Sequence, residues 1–252
     1  MSSQIDNRFR FSTIAHRDHE YLSPLSSDKA LQLIRSLCDG LNNDDIVLDA
    51  GCGKAALLRK ALELSPCSGV GVDINASFLL GAREEWRGDP GRLRLVESAV
   101  LEHPRPHEAY AAVLCVGSVH AFGSFDQCLQ ICFEWLKPGG RLLIADGYWK
   151  QPPRADYLAA IDGTHDEFGT HAQNAERARA CGYVVLRTAT SSDDEWDEYE
   201  GKYSNAMMRY LGDHPDDPEA AAFSARMQNW HMAYLKWGRS TLGFGYYLLM
   251  KP

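Results

Sequence analysis

Residues 46–56 read IVLDAGCGKAA, and this stretch determines the fold expected for the whole chain. An apolar run long enough for a short buried strand leads into Gly51 and Gly53, which allow a sharp turn and the close approach of a ligand. The residues that follow, from Ala55 to Leu62, are strong helix formers. A strand, a glycine turn and a helix in this order open a nucleotide-binding βαβ unit.

Two carboxylates accompany this turn. Asp49 stands at the end of the first strand, where it can accept hydrogen bonds from the turn or from a ligand ammonium. A second candidate strand, residues 68–74, carries Asp73 near its end, at the distance from Gly53 where a carboxylate meets ribose hydroxyls. The glycine spacing also satisfies the NAD fingerprint, so the glycines alone leave an NAD-dependent oxidoreductase open.

Strand-like and helix-like segments then alternate along the chain. A helix is expected to start at Ser26 or Ser27 and to end at Gly40. Further helices are predicted over residues 76–87 and 124–135, and further strands over 93–96, 110–116 and 141–145. Five alternations predict a parallel, doubly wound sheet with helices on both faces.

The amino-acid composition excludes several classes of protein. The 252 residues carry a net charge of −8, from 26 Lys and Arg against 34 Asp and Glu, which argues against nucleic-acid and anionic-membrane partners. No apolar run approaches the roughly 20 residues needed to span a bilayer. The seven cysteines lack paired or zinc-type spacing. These features predict a cytoplasmic protein with reduced thiols and no metal site.

Three segments resemble class I S-adenosylmethionine-dependent methyltransferases: VLDAGCG at 47–53, GVDI at 71–74 and WLKPGGRLLI at 135–144. The last is typical of that superfamily and not of NAD dehydrogenases. Within the superfamily, the chain is similar to an uncharacterised bacterial group of small-molecule methyltransferases. That similarity is carried by residues 11–14, 115–117, 148–149, 195–200 and 243–245.

The resemblance implies a Rossmann-like, seven-stranded, mostly parallel sheet that closes with an antiparallel hairpin. Residues 183–187 fit the sixth strand, preceded by a helix over about 174–181, and residues 244–250 fit the seventh. The long connection between these strands is typical of a lid or cap. Aromatic residues recur there at steps of three or four, predicting two helices, the second beginning at Pro218.

We therefore expect a single methyltransferase domain made of three parts. Residues 1–26 are predicted to form an N-terminal gate over the cofactor pocket. The Rossmann-like core takes residues 27–190 and 241–252, and the helical cap takes residues 191–240.

The resemblance also implies S-adenosyl-L-methionine (SAM) as cofactor and S-adenosyl-L-homocysteine (SAH) as product. The glycine turn would hold the methionine end, Asp73 the ribose and Ile74 the adenine. The usual acid for the adenine amino group is missing at Ser98 and Ala99, so Glu97, Glu102 or a backbone carbonyl must serve. The cofactor contacts implied are Asp49, Ala50, Gly51, Cys52, Gly53, Asp73, Ile74, Glu97, Ser98, Ala99, Val116 and Gly117.

Methyl transfer is an in-line displacement in which the protein mainly aligns the reactants and excludes water. Candidate bases for a nitrogen or oxygen acceptor are His120, His19, Asp146 and Tyr148. We predict a small-molecule acceptor under the aromatic cap, in a monomer or a homodimer. A non-catalytic SAM-binding regulator is the alternative, beside the less favoured NAD-dependent oxidoreductase.

Overall fold

The computed structural model describes residues 9–104 and 107–252, so the first eight residues of the predicted gate lie outside it. Seven strands form one sheet in the order β3-β2-β1-β4-β5-β7-β6. They are β1 Ile46–Ala50, β2 Ser68–Asp73, β3 Leu93–Glu97, β4 Tyr110–Val116, β5 Leu136–Trp149, β6 Val184–Thr190 and β7 Leu242–Met250. Strands β1 to β5 pair in parallel, whereas β7 is antiparallel to both β5 and β6. The predicted mostly parallel sheet with a closing hairpin is confirmed.

Helices cover both faces of this sheet. They are α1 Arg10–Ala15, α2 Ser27–Cys38, α3 Ala56–Leu64, α4 Ala76–Glu85, α5 Phe125–Trp135, α6 Ala155–Ile161, α7 His171–Ala180, α8 Asp193–Asp213 and α9 Pro218–Ala233. Successive strand residues point to opposite faces. Leu143 accordingly packs in the core with α2 and α3, while Ile144 packs in the core with α5.

Two elements begin three or more residues before their predicted starts, each for a physical reason. Helix α7 begins three residues early, because Thr170 caps it and forms a reciprocal capping box with Gln173. Strand β5 begins at Leu136, because that residue already pairs with Tyr110 on β4, before a shift in register. The Lys137–Gly140 segment, which lies before the predicted strand over residues 141–145, therefore belongs to the strand.

The insertion between β6 and β7 holds the two long cap helices that the aromatic spacing predicted. Ser192 and Glu195 form a capping box at the start of α8, and Asp217 caps α9 with Pro218 in its first turn. Helix α9 continues as a π-helical turn, Tyr234–Gly238, and a short helix α10, Arg239–Thr241. Within the described residues, no helix combines the length and apolar character needed to cross a membrane.

The N-terminal segment packs on the cap. Helix α1 contacts α8, and the Phe11 ring stacks on Phe223 of α9 with ring centroids 5.0 Å apart. Arg10 forms an ion pair with Asp217 at the start of α9. The part of the predicted gate that the structure describes is therefore held by the cap as well as by the core.

Candidate active site

The glycine turn after β1 joins the ends of three strands. Gly51 and Gly53 have φ angles of +76° and +51°, in the region that favours glycine. A Cβ on Gly51 would lie 2.3 Å from the Cβ of Ser118, which follows β4. The backbone N–H of Gly53 donates to Asp73 Oδ2 at 2.7 Å. The turn is thus fixed against both β2 and β4.

A cavity of about 440 Å³ lies at this carboxyl edge of the sheet. The predicted residues that line it are Gly51, Gly53, Asp73, Ile74, Ser98, Ala99, Val116, Gly117 and His120. Ile74 is 48% exposed, so an apolar surface is offered to a flat ligand there. The structure brings most of the predicted cofactor contacts together around one space.

Asp49 and Cys52 line a smaller adjoining cavity of about 40 Å³. Leu22 borders both cavities, and its side chain rests against Gly53, where a Cβ would come within 2.5 Å of it. Ala50 is buried, and its carbonyl accepts a hydrogen bond from Ser118 Oγ at 2.6 Å. Among the described residues, the lining of these two cavities does not include the exposed Glu97.

Of the two carboxylates of the site, Asp49 is buried and Asp73 is partly buried. Asp49 is 4% exposed, and burial, together with the nearby charge of Asp73, raises its pKa to about 8. Burial also raises the pKa of Asp73, although its oxygens accept from the N–H groups of Gly53 and Asn75. Neither carboxylate forms an ion pair within the part of the chain that the structure describes. Such a pair suits a ligand that brings an ammonium and hydroxyl donors.

The four candidate bases are spread over different places. His120 lines the main cavity. His19 is 4% exposed and lines a separate space of about 140 Å³, where its Nε2 donates to the Tyr199 carbonyl at 2.9 Å. Asp146 and Tyr148 lie at the end of β5, outside the linings of these three spaces in the described chain. Burial raises the pKa of Asp146 to about 6.

A further pair, His16 and Tyr199, lines the main cavity and was not predicted as a pair. His16 Nδ1 lies 2.9 Å from the Ser12 carbonyl, which only accepts, so Nδ1 carries the proton. Burial lowers the pKa of His16 to about 4 and keeps the ring neutral. His16 Nε2 therefore accepts from the Tyr199 hydroxyl at 3.1 Å. Tyr199 is one of the regularly spaced aromatic residues that predicted the first cap helix. No pattern in the sequence predicts that His16 is its partner.

Lys54 ties the glycine turn to the N-terminal segment. Its ammonium donates to the carbonyls of His16, Arg17 and His19 at 2.8, 3.0 and 2.7 Å. These carbonyls follow the end of α1, where a cation is favoured. Asn75 adds a hydrogen bond to Thr13 Oγ1 at 2.9 Å. The segment is thereby fastened over the cavity by residues that border it.

We expect the change Lys54→Met to speed the dissociation of SAH, the product that the resemblance implies, about tenfold or more, since each charge-assisted hydrogen bond contributes about 1.5–3 kcal/mol. Stopped-flow displacement of SAH measures this rate. Lys60→Met is the matched control, because Lys60 lies on α3 and forms a local ion pair with Glu63. Equal dissociation rates in the two variants would show that Lys54 does not hold the segment.

Known proteins share this architecture. Residues 47–140 match the family described as methyltransferase domain. The chain is 25% identical to a SAM-dependent methyltransferase from Geobacter sulfurreducens crystallised with SAH, with a TM-score of 0.87 over 96% of this chain and 98% of that one. Together with the glycine turn and the paired acids, these likenesses show the fold of class I SAM-dependent methyltransferases, with a methyltransferase domain over residues 47–140. The NAD interpretation of the glycine spacing is thereby set aside.

Within that class, the chain is similar over almost its full length to YjhP, an uncharacterized protein of Escherichia coli K12. The two are 26% identical over 245 residues, which cover 96% of this chain and 98% of YjhP. The X-ray structure of YjhP superposes with a TM-score of 0.87. The predicted likeness to an uncharacterised bacterial group is confirmed.

Proposed function

We propose that the protein transfers the methyl group of SAM to a small organic acceptor in the space between the sheet edge and the helical cap. This proposal rests on one observation: the N-terminal segment and α8 cover the main cavity. Phe9, His16 and Tyr199, from the N-terminal segment and α8, line the cavity together with the residues of the sheet edge. A macromolecular acceptor would need an open face at this point.

The chain's own residues fit the donor. Asp49 would accept from the amino group of the methionine end, and Asp73 from the ribose hydroxyls. Ile74 would pack on the adenine, with Ser98 and Ala99 beside it in place of the missing acid. The absence of side chains at Gly51 and Gly53 leaves the backbone free to follow the ligand closely.

SAM supplies a methyl group already activated by the sulfonium charge, so the protein's part is alignment and the exclusion of water. Val116 and Gly117 line the cavity from the end of β4, and Tyr199 lines it from α8. His120 also lines the cavity and is the one of the four candidate bases placed there. We therefore propose His120 as the group that takes a proton from a protic acceptor.

Labelled SAM tests this proposal whatever the chemical identity of the acceptor. The protein is incubated with methyl-tritiated SAM and a bacterial extract, and the products are separated by dialysis. We expect the label in dialysable compounds other than SAM, and none in a reaction with Asp73→Ala. Label confined to protein or RNA would contradict the proposal, as would tight SAH binding with no transfer to any fraction.

A further inference from the structure

We propose that the space of about 140 Å³ beside His19 binds an alcohol hydroxyl group of the acceptor; this inference rests on the proposed methyl transfer to a small molecule. The residues that line this His19 space include Tyr21, Ser23 and Tyr199. Tyr21 and Ser23 also line the smaller cavity beside Asp49, and Tyr199 also lines the main cavity. The His19 space therefore shares walls with both cavities of the donor site, and a molecule bound there lies next to the donor.

Three buried polar atoms of this lining have no hydrogen-bond partner within the part of the chain that the structure describes. They are His19 Nδ1, the Tyr21 hydroxyl and Ser23 Oγ, on residues that are 4%, 6% and 5% exposed. Burial and the nearby Glu20 raise the pKa of Tyr21, but the Glu20 carboxylate accepts its hydrogen bond from Ser27 Oγ, at 3.2 Å. Buried polar groups without partners are rare and costly. Three of them around one space indicate that a bound molecule supplies the partners.

The protonation state of His19 determines what that molecule must offer. His19 Nε2 donates to the Tyr199 carbonyl, which only accepts, so Nε2 carries the ring proton. Burial lowers the pKa of His19, and the charges of Lys202 and Lys54 lower it further, so the ring is neutral at neutral pH. His19 Nδ1 is then an acceptor and needs a donor. An alcohol hydroxyl can donate to Nδ1 and at the same time accept from the Tyr21 hydroxyl.

The charged residues of the lining are paired or exposed, so the space suits an uncharged group. Glu195 forms an ion pair with Lys29, and Glu198 forms one with Lys202 at 2.6 Å. Glu20 is exposed. Among the described lining residues, a carboxylate or phosphate would find no unpaired lysine or arginine, and an ammonium would find no unpaired buried carboxylate. Burying an ion without a counterion is costly, whereas a hydroxyl needs only hydrogen bonds.

Calorimetry on the SAH-saturated protein tests the inference. The probes are 1-butanol, butylammonium and butyrate, which are similar in size and differ in charge. Their size fits the space, because a cavity of about 150 Å³ admits a benzene molecule. We expect the alcohol to bind about tenfold more tightly than either ion, or better, since an ion would be buried without a counterion. No binding of 1-butanol, as expected of a space that holds water only, or equal binding of the three probes would overturn the inference.

Three variants assign the binding to the unpartnered atoms. Tyr21→Phe should weaken 1-butanol binding about fivefold, and His19→Gln, which keeps an N–H for the Tyr199 carbonyl but loses the Nδ1 acceptor, should remove the preference for the alcohol. Tyr183→Phe is the matched control, because the Tyr183 hydroxyl donates to the Leu129 carbonyl at 3.0 Å and Tyr183 is outside the lining. The control should lower the melting temperature and leave 1-butanol binding unchanged. Wild-type binding of 1-butanol by both Tyr21→Phe and His19→Gln would contradict the inference.

A transfer assay connects the His19 space to the acceptor and separates the possible failures. Saturating 1-butanol should lower the transfer of label from methyl-tritiated SAM to dialysable compounds at least about fivefold without displacing SAH. Butyrate at the same concentration should leave the transfer unchanged. Binding of 1-butanol with no effect on transfer would place the space outside the acceptor site and overturn the inference. Absence of label from dialysable compounds without any probe would instead contradict the proposed function itself.

Discussion

Replacing Gly51 by alanine should weaken SAH binding about a hundredfold. The new methyl group would lie 2.3 Å from the Cβ of Ser118, with the residue at a φ of +76°. Overpacking costs about 1–3 kcal/mol and the left-handed backbone about 1–2 kcal/mol more, while each 1.4 kcal/mol is tenfold in affinity. Relief of this clash would move the turn away from β4 and distort the cavity. Isothermal calorimetry with SAH measures the loss.

Gly40 provides the matched control for this substitution. Its φ is +86°, but no neighbour among the described residues lies within 4 Å of a Cβ built there, and Gly40 is outside the linings of both cavities. Gly40→Ala should therefore lower stability through backbone strain and leave SAH affinity unchanged. The double change Gly51→Ala with Ser118→Gly should recover part of the affinity. If Gly51→Ala bound SAH within a few-fold of wild type, the turn would not be shaped for the ligand.

Binding of SAH near pH 7 should release close to one proton. The pKa of Asp49 is raised to about 8 by its burial and by Asp73, so the free protein holds this carboxyl mostly protonated at pH 7. A ligand ammonium next to it favours the ionised form, and the proton leaves. Affinity should accordingly tighten as pH rises toward 8, by up to about tenfold per unit. Calorimetry in buffers of different ionisation enthalpy counts the protons.

The variant Asp49→Asn isolates this effect. It should abolish the buffer dependence and weaken SAH binding about ten- to a hundredfold, because a charged hydrogen bond of about 1.5–3 kcal/mol is lost. Rising pH affects the stability of the free protein in the opposite direction to its affinity for SAH. A carboxyl whose folded pKa lies above its unfolded pKa costs stability as pH rises, so free Asp49→Asn should gain stability over wild type near pH 8. Proton release that persisted in Asp49→Asn would assign the effect to another group.

The sequence could predict those parts of the site that depend on short local patterns of residues. The Gly51 and Gly53 turn, Asp73 at the end of β2 and the apolar run of β4 each depend on a few neighbouring residues. Their meeting at one sheet edge then follows from parallel pairing, which brings the carboxyl ends of the strands together. Another local pattern, the spacing of aromatic residues, predicted the two cap helices.

Contacts between distant segments could not be predicted in this way. Tyr199 meets His16 across 183 positions, and Lys54 reaches carbonyls 35 to 38 positions away. Local sequence patterns do not predict such pairs, because the contacts form only when the cap and the N-terminal segment pack at the same edge of the sheet. Glu200 is the sharpest case. A charged residue in a helical pattern is expected to face solvent, whereas Glu200 is buried and accepts a hydrogen bond from Trp230 on α9.

The position of Leu22 has a consequence for how the enzyme turns over. This side chain rests on Gly53 and borders both the larger and the smaller cavity, so we expect a molecule long enough to fill both to displace it. Binding of the donor and displacement of the leucine would then occur together. SAH would leave by the same route. The turnover rate would then depend on how readily the segment around Leu22 moves.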